Sequence, residues 1–377
     1  MTDGHHADRR SFLKTGAIAG TALVAGATAM AQQVAAADDD RGLTKGDIAI
    51  LRLLAAVELI ESDLWLQYAE LGGVQDSELP GLPTGGNTNY TTKLKLLDND
   101  MDQYIHDNTE DEITHAAFLN AFLVSKGADP VDLDKFRTLP SSKATGANQI
   151  GRLTNLMKLT VDTSWWTRYR SRDNNPDLDP LFVFPQAVPS LFAGTFPAIP
   201  RTDADDGPSD HIQAIANTAA FHFGFIEQGG NSLYPTLAQR VTNPVVLRIL
   251  LSIGPTETMH FQTWHDKAGN AVSDPLAPLT DPKNPALVFP NLNLSPFGGE
   301  DFQTNLIMPE PCPFLSRTFP RCSIIRPTSI ETFGAQATIK AFKDDGLFIG
   351  QSKEFFNKLH DLAKDADEAT RKCHRED

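Results

Sequence analysis

Proline constrains this chain more than any other residue does. Of its 25 prolines, seven fall between Pro176 and Pro208 and eleven between Pro275 and Pro327. A proline inside a helix removes a backbone donor and clashes with the preceding turn, so neither region can be continuous helix. Outside them the sequence reads as four long helical stretches. The first runs from Thr44, an N-cap with Asp47 three residues on, to about Leu71. A loop containing Gly72, Gly73, Pro80, Gly81, Pro83, Gly85 and Gly86 follows it. The second stretch starts near Leu97 and ends at Gly127, a left-handed cap ahead of Pro130. The third covers about 210–233. The fourth opens with Asn243 as cap and Pro244 in the first turn, and ends near Asp266.

Between the second and third stretches lies a long crossover, 128–209, in which a further helix is expected at about 148–169 before an extended Pro-rich excursion. The tail carries an amphipathic helix over about 353–372, with Phe355, Phe356, Leu359, Leu362 and Ala363 on one side. There is little strand signal. Hairpin, long crossover, hairpin is the wiring of an all-α, four-helix bundle with one crossover. The expected organisation is a leader over 1–31, a bundle over 42–270 with its crossover insertion, and a Pro-rich extension over 271–377 that ends in a helix.

Composition removes several function classes. With 377 residues, 41% apolar and 21% charged, the chain is not disordered and can bury a large core. A net charge of −15 argues against nucleic acid and against anionic membrane surfaces as partners. No apolar run reaches the roughly 18 residues of a membrane span. The three cysteines form no Cys-x-x-Cys pair, so a thiolate metal site is not indicated. Cys312 and Cys322 are ten apart in the Pro-rich tail and are candidates for one disulfide, which would leave Cys373 over.

The N-terminus resembles a bacterial twin-arginine signal peptide. Arg9-Arg10 are followed by Ser11-Phe12-Leu13-Lys14 and then by an Ala/Gly-rich, weakly apolar stretch to Met30, with cleavage expected after Ala31 or Ala37. The resemblance implies export, to the periplasm or beyond, of a protein already folded. An oxidising destination would permit the disulfide.

Each of the four helical stretches carries an acidic residue where its apolar face should be. Glu58 lies in LRLLAAVELIESDLW, and Glu112-Ile113-Thr114-His115 precedes AAFLNAFLV. Glu227 follows AAFHFGFI, and Glu257-Thr258-Met259-His260 is flanked by Ile253, Phe261 and Trp264. Residues three apart share a helix face, so each Glu-x-x-His presents a carboxylate and an imidazole to the same point. A buried carboxylate must be paired, protonated or metal-bound. Arg152, Lys158 and Arg248 are the nearest cations, and none is placed to neutralise four glutamates. Two divalent metals would do so, and oxygen-rich ligation of this kind suits iron or manganese over zinc or copper. The pattern also repeats: Glu58 has Trp65 at +7 and Glu227 has Tyr234 at +7. Glu61, one turn after Glu58, is a further candidate, weighed against a solvated or supporting role. Gly230, at +3 from Glu227, either leaves room beside a metal or marks a frayed helix end.

These residues are similar to those of the ferritin-like di-metal carboxylate superfamily, which includes bacterioferritin, rubrerythrin and manganese catalase, and especially to its exported and desiccation-related members. The resemblance spans roughly 44–127 and 210–266. It implies that Glu58 and Glu227 are the single glutamates, that Glu112/His115 and Glu257/His260 are the paired motifs, and that two iron or two manganese ions are bound. It also implies redox chemistry on a small oxidant, peroxide or dioxygen, as in a catalase, peroxidase or oxidase. The alternative is a non-catalytic stress or desiccation protein that keeps the bundle. A storage cage is the third reading, opposed by the long insertions. Pro255, two residues before Glu257, is expected to kink the fourth helix or free a carbonyl there. Oligomeric state is not legible.

Overall fold

The computed structural model describes residues 42–75, 79, 81–168, 183–294, 309–310, 318, 322–323 and 334–372. The signal-like segment, Cys312 and Cys373 lie outside the described residues, and with them the disulfide expectation. Nine α-helices occur among the described residues: α1 (Lys45–Gly72), α2 (Thr88–Leu97), α3 (Met101–Ser125), α4 (Ser164–Arg168), α5 (Pro189–Ala193), α6 (Ser209–Ala238), α7 (Pro244–Ala268), α8 (Ala335–Asp344) and α9 (Lys353–Asp367). The strands among the described residues are two antiparallel two-residue pairs, Leu279–Thr280 with Val288–Phe289 and Pro309–Glu310 with Cys322–Ser323.

Helix α1 starts with a reciprocal cap, in which Asp47 N–H donates to Thr44 Oγ1 and Thr44 N–H donates to Asp47 Oδ2. The other oxygen of Asp47 accepts from the backbone N–H groups of Thr242 and Asn243, tying this end of α1 to the α6–α7 turn. Asn243 caps α7 ahead of Pro244, and Gly127 closes α3 at φ 73°. Lateral contacts give the directions of the bundle helices. Thr109 Oγ1 reaches the Trp65 carbonyl, Ser62 Oγ the Glu112 carbonyl, and His115 the Glu58 carboxylate, so α3 runs antiparallel to α1. Trp65 meets Glu227 and Tyr234 meets Glu58, so α6 is also antiparallel to α1. Helices α3 and α6 are therefore parallel, and the chain between them must travel the length of the bundle.

The structure corrects several expectations. The second stretch does not begin near Leu97; α2 ends there and α3 starts at Met101. Asp98 Oδ1 accepts from the Asp100 N–H, and such a local side-chain bond competes with helix continuation. Among the described residues of 148–168 only α4 is helical. Backbone groups of that segment bond instead to distant chain, Leu159 to Phe196 in both directions, Asn155 N–H to Leu347 and Thr160 N–H to Asp345. Helix α6 continues five residues past 233, through Gly229, Gly230 and Pro235, so Gly230 is not at a frayed end. Pro255 lies inside α7 as expected, and the helix continues on both sides of it. In the tail α8 accompanies the expected helix, α9 ends at Asp367, and α9 packs along α1.

Candidate metal centre

The six expected residues converge. Glu58 comes from α1, Glu112 and His115 from α3, Glu227 from α6, Glu257 and His260 from α7. They form two overlapping groups of ligand-type atoms, each group within 4.8 Å: Glu58, Glu112, His115 and Glu257, and Glu112, Glu227, Glu257 and His260. Glu112 and Glu257 belong to both. His115 Nδ1 lies 3.3–3.4 Å from carboxylate oxygens of Glu112, Glu58 and Glu257. His260 Nδ1 lies 3.1 Å from Glu112 and 3.3 Å from Glu227.

The four glutamates are fully buried. Among the described residues no lysine or arginine pairs with them. The nearby cations go elsewhere on α1, Arg152 to the buried Glu70 and Arg137 to Asp63. Burial, then the neighbouring Glu112, pushes the Glu58 carboxyl up to about 8 against the opposing pull of His115. Burial likewise raises Glu257 and Glu227. Glu112 goes the other way: although burial opposes it, the close approach of both histidines holds it well below the usual carboxylate range. Burial would lower both imidazoles, but Glu58 and Glu227 lead the carboxylates that raise them. The shifts run in the direction that bound positive charge would relieve.

Outer bonds aim these groups, and they are reciprocal. Trp65 Nε1–H on α1 donates to Glu227 Oε1 on α6 at 2.9 Å, and Tyr234 O–H on α6 donates to Glu58 Oε1 on α1. The +7 aromatics of the sequence pattern therefore each serve the other helix's glutamate. Asn108 was not foreseen. Its Nδ2 donates to Glu112 at 2.9 Å and to Glu227 at 3.1 Å, and Trp264, which can only donate, fixes the amide by bonding its Oδ1 at 2.6 Å. The one available signal was its position, four residues before Glu112 on the same face. Asp111, also unforeseen, lies 3.0 Å from His260 Nε2.

Trp65, Tyr68, Phe223 and Trp264 close one end of the cluster as an aromatic wall, with ring centroids 4.6–5.6 Å apart. The histidine side chains keep 12% and 10% exposure, so the α3–α7 edge is the less buried side of the cluster. Three further buried side chains are structural. His222 sits between Tyr68 and Asp345, His265 against Trp166, and Trp165 under Gly224.

Beyond these outer bonds, five buried atoms make no contact of hydrogen-bond geometry, although imidazoles and carboxylates face one another at 3.1–3.4 Å: Glu58 Oε2, Glu227 Oε2, both oxygens of Glu257, and His260 Nδ1. Unpartnered carboxylate oxygens grouped with imidazole nitrogens are the donor set that divalent iron or manganese takes, so the residues fit such ions.

A family model described as a ferritin-like domain matches residues 46–269. No curated protein and no solved structure matches the chain.

Proposed function

The chain belongs to the ferritin-like family, and on that premise we propose that the Glu/His cluster holds two iron or two manganese ions and performs redox chemistry on peroxide or dioxygen in an exported protein. The observation that carries this reading is the set of buried, unpartnered ligand atoms, contributed by three of the four bundle helices. Glu58 and His115 would hold one ion and Glu227 and His260 the other, with Glu112 and Glu257 facing both. When bound, such a pair supplies Lewis acidity and redox equivalents to a small oxidant.

The chain's own residues prepare the place. Trp65, Tyr234 and Asn108 take outer lone pairs of Glu227, Glu58 and Glu112, which orients the free oxygens inward before anything binds. The aromatic wall keeps bulk water from that end. The partly exposed histidine edge is the side from which a small oxidant would approach. Export rests on the Arg9-Arg10 motif and its small-residue cleavage site.

A non-catalytic stress role is favoured by a different observation. The tail and crossover bury much apolar surface away from the cluster, as in the Phe136, Phe348 and Phe355 contacts. One experiment separates the two. The exported protein, purified without chelator or nickel affinity, is expected to carry two iron or manganese per chain. That content should be lost in Glu58→Ala and in His260→Ala, and only the loaded protein should consume hydrogen peroxide or dioxygen. A well-folded protein without bound transition metal would overturn the redox reading and favour the structural one.

A further inference from the structure

Glu61 lies on α1 one turn beyond Glu58 and is 1% exposed. Neither of its carboxylate oxygens has a hydrogen-bond partner. A carboxyl in such a place costs free energy that a leucine or a glutamine with partners would not, unless it is neutral or bound to a cation. Its electrostatic neighbours are the cluster itself: burial raises its pKa most, followed by Glu58, Glu112, Glu257 and Glu227 in that order.

The matching spacing of the two hairpins shows what is different at this position. Exchanging the two hairpins maps Glu58 onto Glu227, Trp65 onto Tyr234, and Glu112 onto Glu257. It also maps Glu61 onto Gly230. At Gly230 the space beside α6 is filled by the carboxylate of Glu257, and an added Cβ would overlap it. At the corresponding position on α1 the chain places a fifth carboxylate instead of a hydrogen, with Glu58 and then Glu112 as its leading electrostatic neighbours. The two halves of the centre are unequal at this position.

Resting on the dimetal reading above, we propose that Glu61 is a fifth carboxylate of the centre, a ligand to the ion at the Glu58–His115 position. It stands outside both compact ligand groups, so it joins by turning its flexible side chain inward. That ion then has one more oxygen donor than its neighbour, and the two positions differ in affinity.

The test titrates cobalt(II), a spectroscopic stand-in, into the metal-free full chain against a competing chelator, for wild type and Glu61→Gln. The amide matches the neutral carboxyl in shape, and Glu61→Leu is the second variant should the first not fold. Wild type is expected to bind two ions of unequal affinity. In Glu61→Gln one of the two should bind at least about tenfold more weakly, as the loss of even a supporting group typically costs 10–100-fold. The visible cobalt spectrum of that ion should change, and the metal-induced rise in Tm should shrink. A purely structural Glu61 would alter the metal-free Tm alone, and unchanged cobalt affinities and spectrum would overturn the inference. If wild type bound no cobalt, the dimetal reading itself would fall, and this inference with it.

Discussion

At position 230 a single hydrogen leaves room for the Glu257 carboxylate. An added Cβ there would overlap the Glu257 carboxylate, whereas one at the adjacent Gly229 would meet only the Phe342 ring, at an ordinary 3.7 Å. Both glycines sit inside α6, where replacing Gly by Ala gains about 1 kcal/mol of helix propensity. For Gly229→Ala that gain should appear as a higher Tm with metal content unchanged. For Gly230→Ala overpacking of about 1–3 kcal/mol opposes it, and Glu257 must leave the position it shares between both ligand groups. Metal analysis of Gly230→Ala should therefore find fewer than two ions per chain. Two tightly held ions in that variant would count against the placement of Glu257. The reciprocal bonds of Trp65 and Tyr234 act on the same scale, since each removes a lone pair that would otherwise point away from the cluster.

Among the helices, the long ones were legible in the sequence because their ends are chemically marked. Thr44 with Asp47, Asn243 with Pro244, and Gly127 ahead of Pro130 all act through their own backbone within one turn. The convergence of six residues was legible for a related reason: Glu-x-x-His on a helix fixes one face, and its repetition fixes the pairing of faces. What failed was set by distant chain. The segment 148–163 has helical-looking spacing. Yet Asp63 on α1 accepts from the N–H groups of Leu153 and Thr154 and from Thr154 Oγ1, and the neighbouring backbone pairs with Phe196, Leu347 and Asp345. Nothing local to 148–163 announces those partners. Asn108 was missed likewise, because its role depends on Trp264, 156 residues away. The reach of α6 through Gly229, Gly230 and Pro235 reflects burial of nearly every residue on it, which overrides propensity.

Across the molecule, polar ties join segments that the core alone would leave free to slide. Asp205 at the end of the crossover, His211 on α6 and Asp281 in the tail form one buried network, with His211 2.7 Å from Asp281 and 3.1 Å from Asp205. Burial would raise the Asp205 carboxyl, but hydrogen bonds from Arg201 and then His211 outweigh it and hold it well below the usual carboxylate range. A carboxyl lowered on folding stabilises above its unfolded pKa of about 3.9 and loses that contribution as pH falls toward its folded value. Denaturant titrations should therefore show Asp205→Asn less stable than wild type by the same margin at pH 7 and pH 5, and by a smaller margin at pH 3. A margin that grew on acidification would refute the assignment. The central claim concerns the bundle as a whole: four helices, wired by one crossover, bring two ligand groups together. Its most direct test is anomalous scattering at the iron or manganese edge from crystals of the loaded protein. Two peaks are predicted, one among Glu58, Glu112, His115 and Glu257 and one among Glu112, Glu227, Glu257 and His260. No peak at either group, or metal bound only elsewhere on the chain, would contradict it.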